Sequence, residues 1–285
     1  MKSLLLEILK SRVDAPGWAW LEKAIAACEA PVHLNTLLGY YAGASRRIGK
    51  QALDLTEAES SKVKALHPDV VLDNWGADEA ARAVLMLSLA TLPPEEFVEL
   101  VHQCYEKGDS REQESWLRGL VLLPGAERFL DAAVDACRTN IVPLFEAIAC
   151  ENPYPRDYFP ELNFNQLVMK ALFLGPELSR VMGLEQRTNG ELSRMTNDYV
   201  SEREAAGRAV PADIWLALVA HASPEATERA YRYLNHEQPE HRYWLALGLG
   251  GTGKQEHKEA LTARIQIEQE PRVQQALKDS LSNLG

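Results

Sequence analysis

Apolar residues recur at helical spacing along almost the whole chain, and the two-residue alternation of a half-buried strand is nearly absent. Prolines and small polar residues punctuate that pattern where helices begin and end. Ala77 to Thr91 reads as one helix. Pro93-Pro94 stops it and starts the next, Glu95 to Glu106, which Lys107-Gly108-Asp109 closes. Ser110 offers an N-cap for 111–122, and Pro124-Gly125 breaks the chain before helices over 126–138 and 141–150. The C-terminal third repeats this grammar. Ser223 caps a helix with Pro224 at its first position, Pro239 opens another through Leu247, and 256–267 follows. Pro271 opens a last helix to Leu284, with Val273, Ala276, Leu277, Leu281 and Leu284 on one stripe. Helix pairs thus recur at about 30 residues, a period typical of helical repeats. The expected fold is all-α, with stacked antiparallel helix pairs forming an α-α superhelix or solenoid.

Two stretches depart from this grammar. The polar segment Arg46 to Asp73 reads as loop beside one helix. From Glu151 to Glu161, the run Asn152-Pro153-Tyr154-Pro155-Arg156-Asp157-Tyr158-Phe159-Pro160 carries three prolines, which forbid regular helix and impose extended or turn conformations. Ordered loops of this kind either carry function or plug a core with their aromatics. The expected organisation is one helical-repeat domain over 1–285, with possible sub-units 1–150 and 151–285 and the proline-rich loop 151–161 between them. A stack of this kind escapes the globular size limit, because each unit buries its face only against its neighbours.

The charge balance narrows the partners. Against 30 basic residues stand 41 acidic ones, for a net charge of −11, which repels phosphate backbones and anionic lipid. Nucleic acid is therefore not expected, although a local basic pocket remains compatible with an acidic whole. Cys28, Cys104, Cys137 and Cys150 lie far apart among apolar residues with no CxxC pair, as buried thiols do in a reducing compartment. The N-terminal run Leu4-Leu5-Leu6-Glu7-Ile8-Leu9 is interrupted by a glutamate and followed by no small-residue cleavage site, so it reads as an amphipathic helix. No run approaches the length of a membrane span. A cytoplasmic protein without transmembrane segment, cofactor or metal is expected.

Two tempting motifs fail on context. Gly248-Leu249-Gly250-Gly251-Thr252-Gly253-Lys254 fits GxxxxGK and GxGxxG, but Gln255 stands where a P-loop needs Ser or Thr. A helix precedes it, and about 30 residues remain for the sheet that either site requires. It reads as a helix-to-helix turn with glycine at a left-handed cap. His236-Glu237-Gln238-Pro239-Glu240-His241 has the wrong spacing for HExxH and a proline between the histidines, as in a solvated turn.

What remains is a polar cluster. On a helix, Asn163, Gln166 and Lys170 share a stripe about 60° wide. The rest of that helix is largely apolar, so burial nearly all round is expected. Asn165 faces the Val168, Met169 and Leu172 side. Buried amides and a buried lysine need partners, either an internal network or a ligand. Downstream, Arg187, Arg194 and Arg203 lie among Asn189 and Tyr199. They suit a carboxylate or phosphate, or simple pairing with Glu191, Asp198, Glu202 and Glu204. With Asn152, Tyr154 and Tyr158 of the proline-rich loop, these are the candidate binding residues. No catalytic set is visible.

The same region carries a resemblance. Asn152-Pro153-Tyr154-Pro155 with Tyr158-Phe159-Pro160-Glu161, then Phe164-Asn165-Gln166 and Lys170-Ala171-Leu172-Phe173, resembles the EboA family. So do Arg187-Thr188-Asn189, Glu191-Leu192-Ser193-Arg194-Met195, Asp198-Tyr199, Glu202-Arg203 and Ala206-Gly207-Arg208. Separately, Tyr231 to Gly285 resembles two HEAT-type units, through Leu245-Ala246-Leu247-Gly248-Leu249-Gly250 and Glu270-Pro271-Arg272-Val273-Gln274-Gln275-Ala276-Leu277. The EboA resemblance implies a bacterial protein of the ebo gene cluster, linked to movement or processing of secondary-metabolite precursors. Its cluster partners look like a prenyltransferase and metal-dependent or sugar-isomerase-like enzymes. The resemblance implies no catalytic residues. Three functions follow as expectations. The first is a non-catalytic binding or scaffold protein for a metabolite or a cluster protein. The second is an enzyme gripping a phosphorylated or prenylated precursor through Arg187, Arg194 or Arg203. The third is a purely structural interaction module.

Overall fold

The computed structural model describes residues 1–284. Those residues form eighteen α-helices joined by short 3-10 turns, with no strand among them beyond one isolated antiparallel bridge, Ala52 to Gly76. The all-α expectation holds. The chain divides into two compact units, Met1–Phe159 and Pro160–Gly285. The division falls inside the proline-rich segment, between Phe159 and Pro160.

At the centre of the first unit lies the helix Ala77–Ser88, in which every position except Leu87 is buried. It packs against Lys2–Lys10, Leu34–Arg47 and Ser110–Gly119. Four alanines let those neighbours approach closely, but the helix also carries Asp78, Glu79 and Arg82 into the core. A charge out of water is tolerable only when it is paired and hydrogen-bonded. Arg82 donates to Asp78 and to Ser115 Oγ at 3.0 Å each, to Ser45 Oγ at 2.8 Å and to the Tyr41 carbonyl at 3.0 Å. Asp78 also accepts from Arg111 at 2.9 and 3.2 Å and from Ser45 at 2.7 Å. Burial pushes the Asp78 carboxyl up, but these donors outweigh it and hold its pKa below the usual carboxylate value.

Several helix starts fall where expected, including Pro94, Pro224 behind Ser223, Pro239 and Pro271. One cap moves by a residue. Asp109, rather than Ser110, accepts the Glu112 amide at 2.9 Å, while the Glu112 carboxylate reaches back to the Asp109 amide at 3.2 Å. This reciprocal box satisfies two orphan donors at once. The segment Arg46 to Asp73 holds one helix, Glu57–Leu66, between loops. Within the proline-rich segment, Tyr154–Tyr158 forms one helical turn rather than wholly extended chain. Pro155 sits in its first turn, where a missing N–H leaves no bond unmade.

In the second unit, Pro239–Gly251 packs along Pro271–Asn283 and beside Trp215–Leu218. The glycine-rich run is therefore mostly helical, and only Gly253 takes a left-handed conformation, with φ 67°. Its glycines serve backbone contact. A Cβ on Gly250 would lie 2.4 Å from Ser280 Cβ, and one on Gly248 would lie 3.1 Å from the Trp215 carbonyl oxygen. At that crossing the buried Ser280 hydroxyl donates to the Ala246 carbonyl at 2.7 Å. The glycines let two helices touch, which explains GxGxxG without a phosphate.

Candidate apolar cavity of the second unit

Between Val181 and Leu184 the chain is too short and too irregular to complete a helix. Gly183 takes a left-handed conformation (φ 75°), which L side chains rarely adopt, and turns the segment back on itself. Val181 and Leu184 are buried, while Met182 is half-buried. With Leu178 and Leu216 they form one wall of an open cavity of about 450 Å³. Trp244, Leu247 and Gly251 of the helix Pro239–Gly251 and Asp279, Ser280 and Asn283 of the last helix complete its lining. This volume is in the range of small-molecule sites.

Its polar groups sit at the mouth. Glu185, Gln186, Ser179, Asp279 and Asn283 line it and are all exposed. The Glu185 carboxylate faces the glycine end of the opposite helix, since a Cβ on Gly251 would meet Glu185 Oε1 at 3.9 Å. No lysine, arginine or histidine lines the cavity. The nearest thing to a basic cluster in this unit, Arg242 and Arg264, converges on the buried Glu268 at 2.8 to 2.9 Å. Burial pushes the Glu268 carboxyl up, but the bonds from Arg242, the Glu270 amide and Arg264 carry it down to about 2.

Beside this wall, His241 is buried, contrary to the solvated turn expected of 236–241. The Trp215 indole donates to His241 Nδ1 at 3.1 Å, which fixes that nitrogen as an acceptor. Burial first, then neighbouring His236, pushes the imidazole down to about 4. No group of three or more metal-capable side chains occurs among the described residues. Burial holds the Cys28 thiol up at about 12, and the Cys104 thiol is raised by the same cause.

The twelve sequence candidates fall into distinct settings, and none of them lines this cavity. In the first unit Asn152 is buried and donates to the Leu117 and Ala147 carbonyls at 3.1 and 2.9 Å, while its own oxygen accepts the Tyr154 amide at 3.0 Å. The buried Tyr154 hydroxyl donates to the Ala126 carbonyl at 2.7 Å, and the Tyr158 ring packs on Tyr154 at 4.7 Å. These three residues pin the proline-rich turn onto the first unit.

In the second unit Asn165 and Asn189 exchange amide hydrogen bonds of 3.2 and 2.9 Å, and Asn189 caps the helix Gly190–Ala205 through the Leu192 amide. This pair ties Glu161–Leu174 to the next long helix. That first helix is not buried all round. Gln166 is exposed, Asn163 and Lys170 are half-buried, and Leu162 and Phe173 are 60% and 70% exposed. The apolar character of Leu162 and Phe173 led the expectation astray, because surface leucines and phenylalanines need no core. Arg187 lies over the Phe164 ring at 4.7 Å. Arg203 donates to the Ala209 carbonyl at 2.8 Å and lies over Tyr199 at 5.8 Å. Arg194 sits on an open surface, paired to Glu191 at 2.6 Å and to Asp198 at 2.7 Å. The three arginines thus make separate contacts.

The sequence model of a family described as metabolite traffic protein EboA matches residues 1–219. The chain belongs to the EboA family. The match contains the cavity wall from Leu178 to Leu216, while Trp244, Leu247 and the Asp279–Asn283 end lie beyond it. No curated protein and no solved structure matches the chain. Among the described residues no helix is long and apolar enough to cross a membrane.

Sequence reasoning missed the cavity residues because they come from four separate stretches. One signal was present: the apolar run Val181-Met182-Gly183-Leu184 is too short to be a helix and too apolar to be an ordinary loop.

Proposed function

We propose that this EboA chain is a non-catalytic binding protein, which holds a small apolar metabolite in the cavity of its second unit and delivers it to enzymes of the same gene cluster. The observation that carries this reading is the open cavity of about 450 Å³ walled by Val181, Met182, Leu184, Leu216, Trp244 and Leu247. Such a lining removes apolar surface from water, worth about 25 cal/mol per Å² covered. The family's description as a metabolite traffic protein agrees with a carrier. We read the helix pairs as a HEAT-like stack and the site of action as the cytoplasm, upstream of any membrane step.

The test is binding of a neutral apolar fluorophore, Nile red, to the full chain. Saturable binding in the micromolar range is expected, with at least tenfold loss in Gly251→Leu and in Leu216→Trp. Both positions are accessible rather than core, so the fold tolerates the added bulk. Binding that both variants leave intact would overturn the assignment. Delivery is read in the same titration: a purified enzyme of the cluster releases the dye, and release by none of them refutes the carrier role.

A further inference from the structure

We infer that the cavity selects its ligand by charge, taking an apolar body that ends in a hydrogen-bond-donating or cationic group and rejecting phosphate and carboxylate head groups. This rests on the binding reading above and specifies its ligand class. The lining offers no cation. Neither Arg180 nor Arg187, which bracket the wall segment in sequence, lines the cavity, and the Arg187 guanidinium lies over Phe164 instead.

What the mouth does offer is acceptors. Glu185 and Asp279 are its two carboxylates, and the amides of Gln186 and Asn283 can each accept or donate, so no group in the lining offers a positive charge. Asp279 already accepts from the Gln275 side-chain amide at 2.8 Å. Glu185 stands across from Gly251, where the helix Pro239–Gly251 ends. The only charged groups in the lining are therefore two carboxylates, both on its exposed side. Ser280 adds no donor, because its hydroxyl is bonded to Ala246.

The size fits the same picture. At the packing density of a protein interior, about 450 Å³ holds roughly 15–20 non-hydrogen atoms. The ligand is then a small amine or alcohol with an unbranched, prenyl-like or aromatic body. A diphosphate would place its anionic head group against two carboxylates.

Three probes with one apolar body separate charge from apolar burial: decylamine, decanol and decyl phosphate, each displacing Nile red from the full chain below its micelle concentration. Decylamine is expected to compete at least tenfold better than decyl phosphate, with decanol between them. In the double variant Glu185→Gln, Asp279→Asn the amine and phosphate should converge to within about threefold, because one exposed charge pair is worth about a factor of five. Gly251→Leu should abolish all three. Equal or tighter binding of decyl phosphate, still blocked by Gly251→Leu, overturns the charge inference and leaves the cavity assignment standing. Binding of none of the three, or binding that Gly251→Leu leaves unchanged, overturns the cavity assignment and this inference with it.

Discussion

Both units bury and pair charges, Asp78 with Arg82 in the first and Glu268 with Arg242 in the second, but they place them differently. The first takes whole charges into its core and pairs them. Arg82 and Asp78 are both essentially inaccessible and are held by Arg111, Ser45, Ser115 and a backbone carbonyl. The second confines its buried pair, Arg242 and Glu268, away from the cavity and brings helices together on glycine and serine, with an apolar space lined by Leu216 and Trp244. A charge network specifies one arrangement, because any shift strands a buried charge. An apolar cavity makes no such demand and accommodates a guest. The difference fits the proposal that the second unit is the one that holds a guest.

The largest effect should come from breaking the network. Arg82→Met keeps bulk in the core but takes from Asp78 one bond and its buried counter-charge, and strips the Tyr41 carbonyl of its Arg82 donor, so a loss of about 3–5 kcal/mol is expected in denaturant unfolding of the full chain. A loss below about 1 kcal/mol would mean that Arg111 and Ser45 alone satisfy Asp78. The contrast drawn between the units would then fail.

Acid should strike the second unit by a different route. His241 is held neutral with a pKa of about 4, whereas an unfolded histidine titrates near 6.5. Between those values the unfolded chain binds the extra proton and the folded chain does not. Stability is therefore fully present above pH 6.5 and falls as pH drops toward 4, by on the order of 2–3 kcal/mol from this residue. The pKa of His257 is also lowered by burial and adds in the same direction. His241→Asn keeps an acceptor for the Trp215 indole and removes the titration, so its unfolding free energy should be flatter between pH 4 and 6.5. An unchanged slope would show that other groups govern acid sensitivity.

Much of this fold was legible because helix ends announce themselves. Pro224 behind Ser223, Pro239 and Pro271 each open a helix as their backbone chemistry requires. The charged core was illegible for a physical reason. Asp78 and Arg82 stand four apart on a helix, the spacing of an ordinary solvent-exposed pair, and only tertiary packing drives them inside. Asn165 was legible as a residue needing a partner, and it found Asn189. The cavity was illegible because its lining comes from segments up to about a hundred residues apart, and neither the run 181–184 nor the glycine-rich run says from sequence alone that they meet.

The smallest expected effect is also the sharpest test of how glycine is used in the second unit. Gly250 and Gly251 are neighbours on one helix, yet their surroundings differ. A Cβ on Gly250 would strike Ser280 at 2.4 Å, with the Ser280 Cα only 2.8 Å away, so backbone must move. Gly250→Ala should therefore cost about 1–3 kcal/mol as an overpacked contact. At Gly251 the only neighbour is a carboxylate oxygen at 3.9 Å, an ordinary contact. Gly251→Ala should be neutral or stabilise by about 0.4–1 kcal/mol, since alanine narrows the unfolded ensemble in a helical position. Melting of the two variants side by side checks this. If both lose stability equally, the helix end rather than the crossing sets the need for glycine, and Gly251 could no longer serve as the silent position from which to block the cavity.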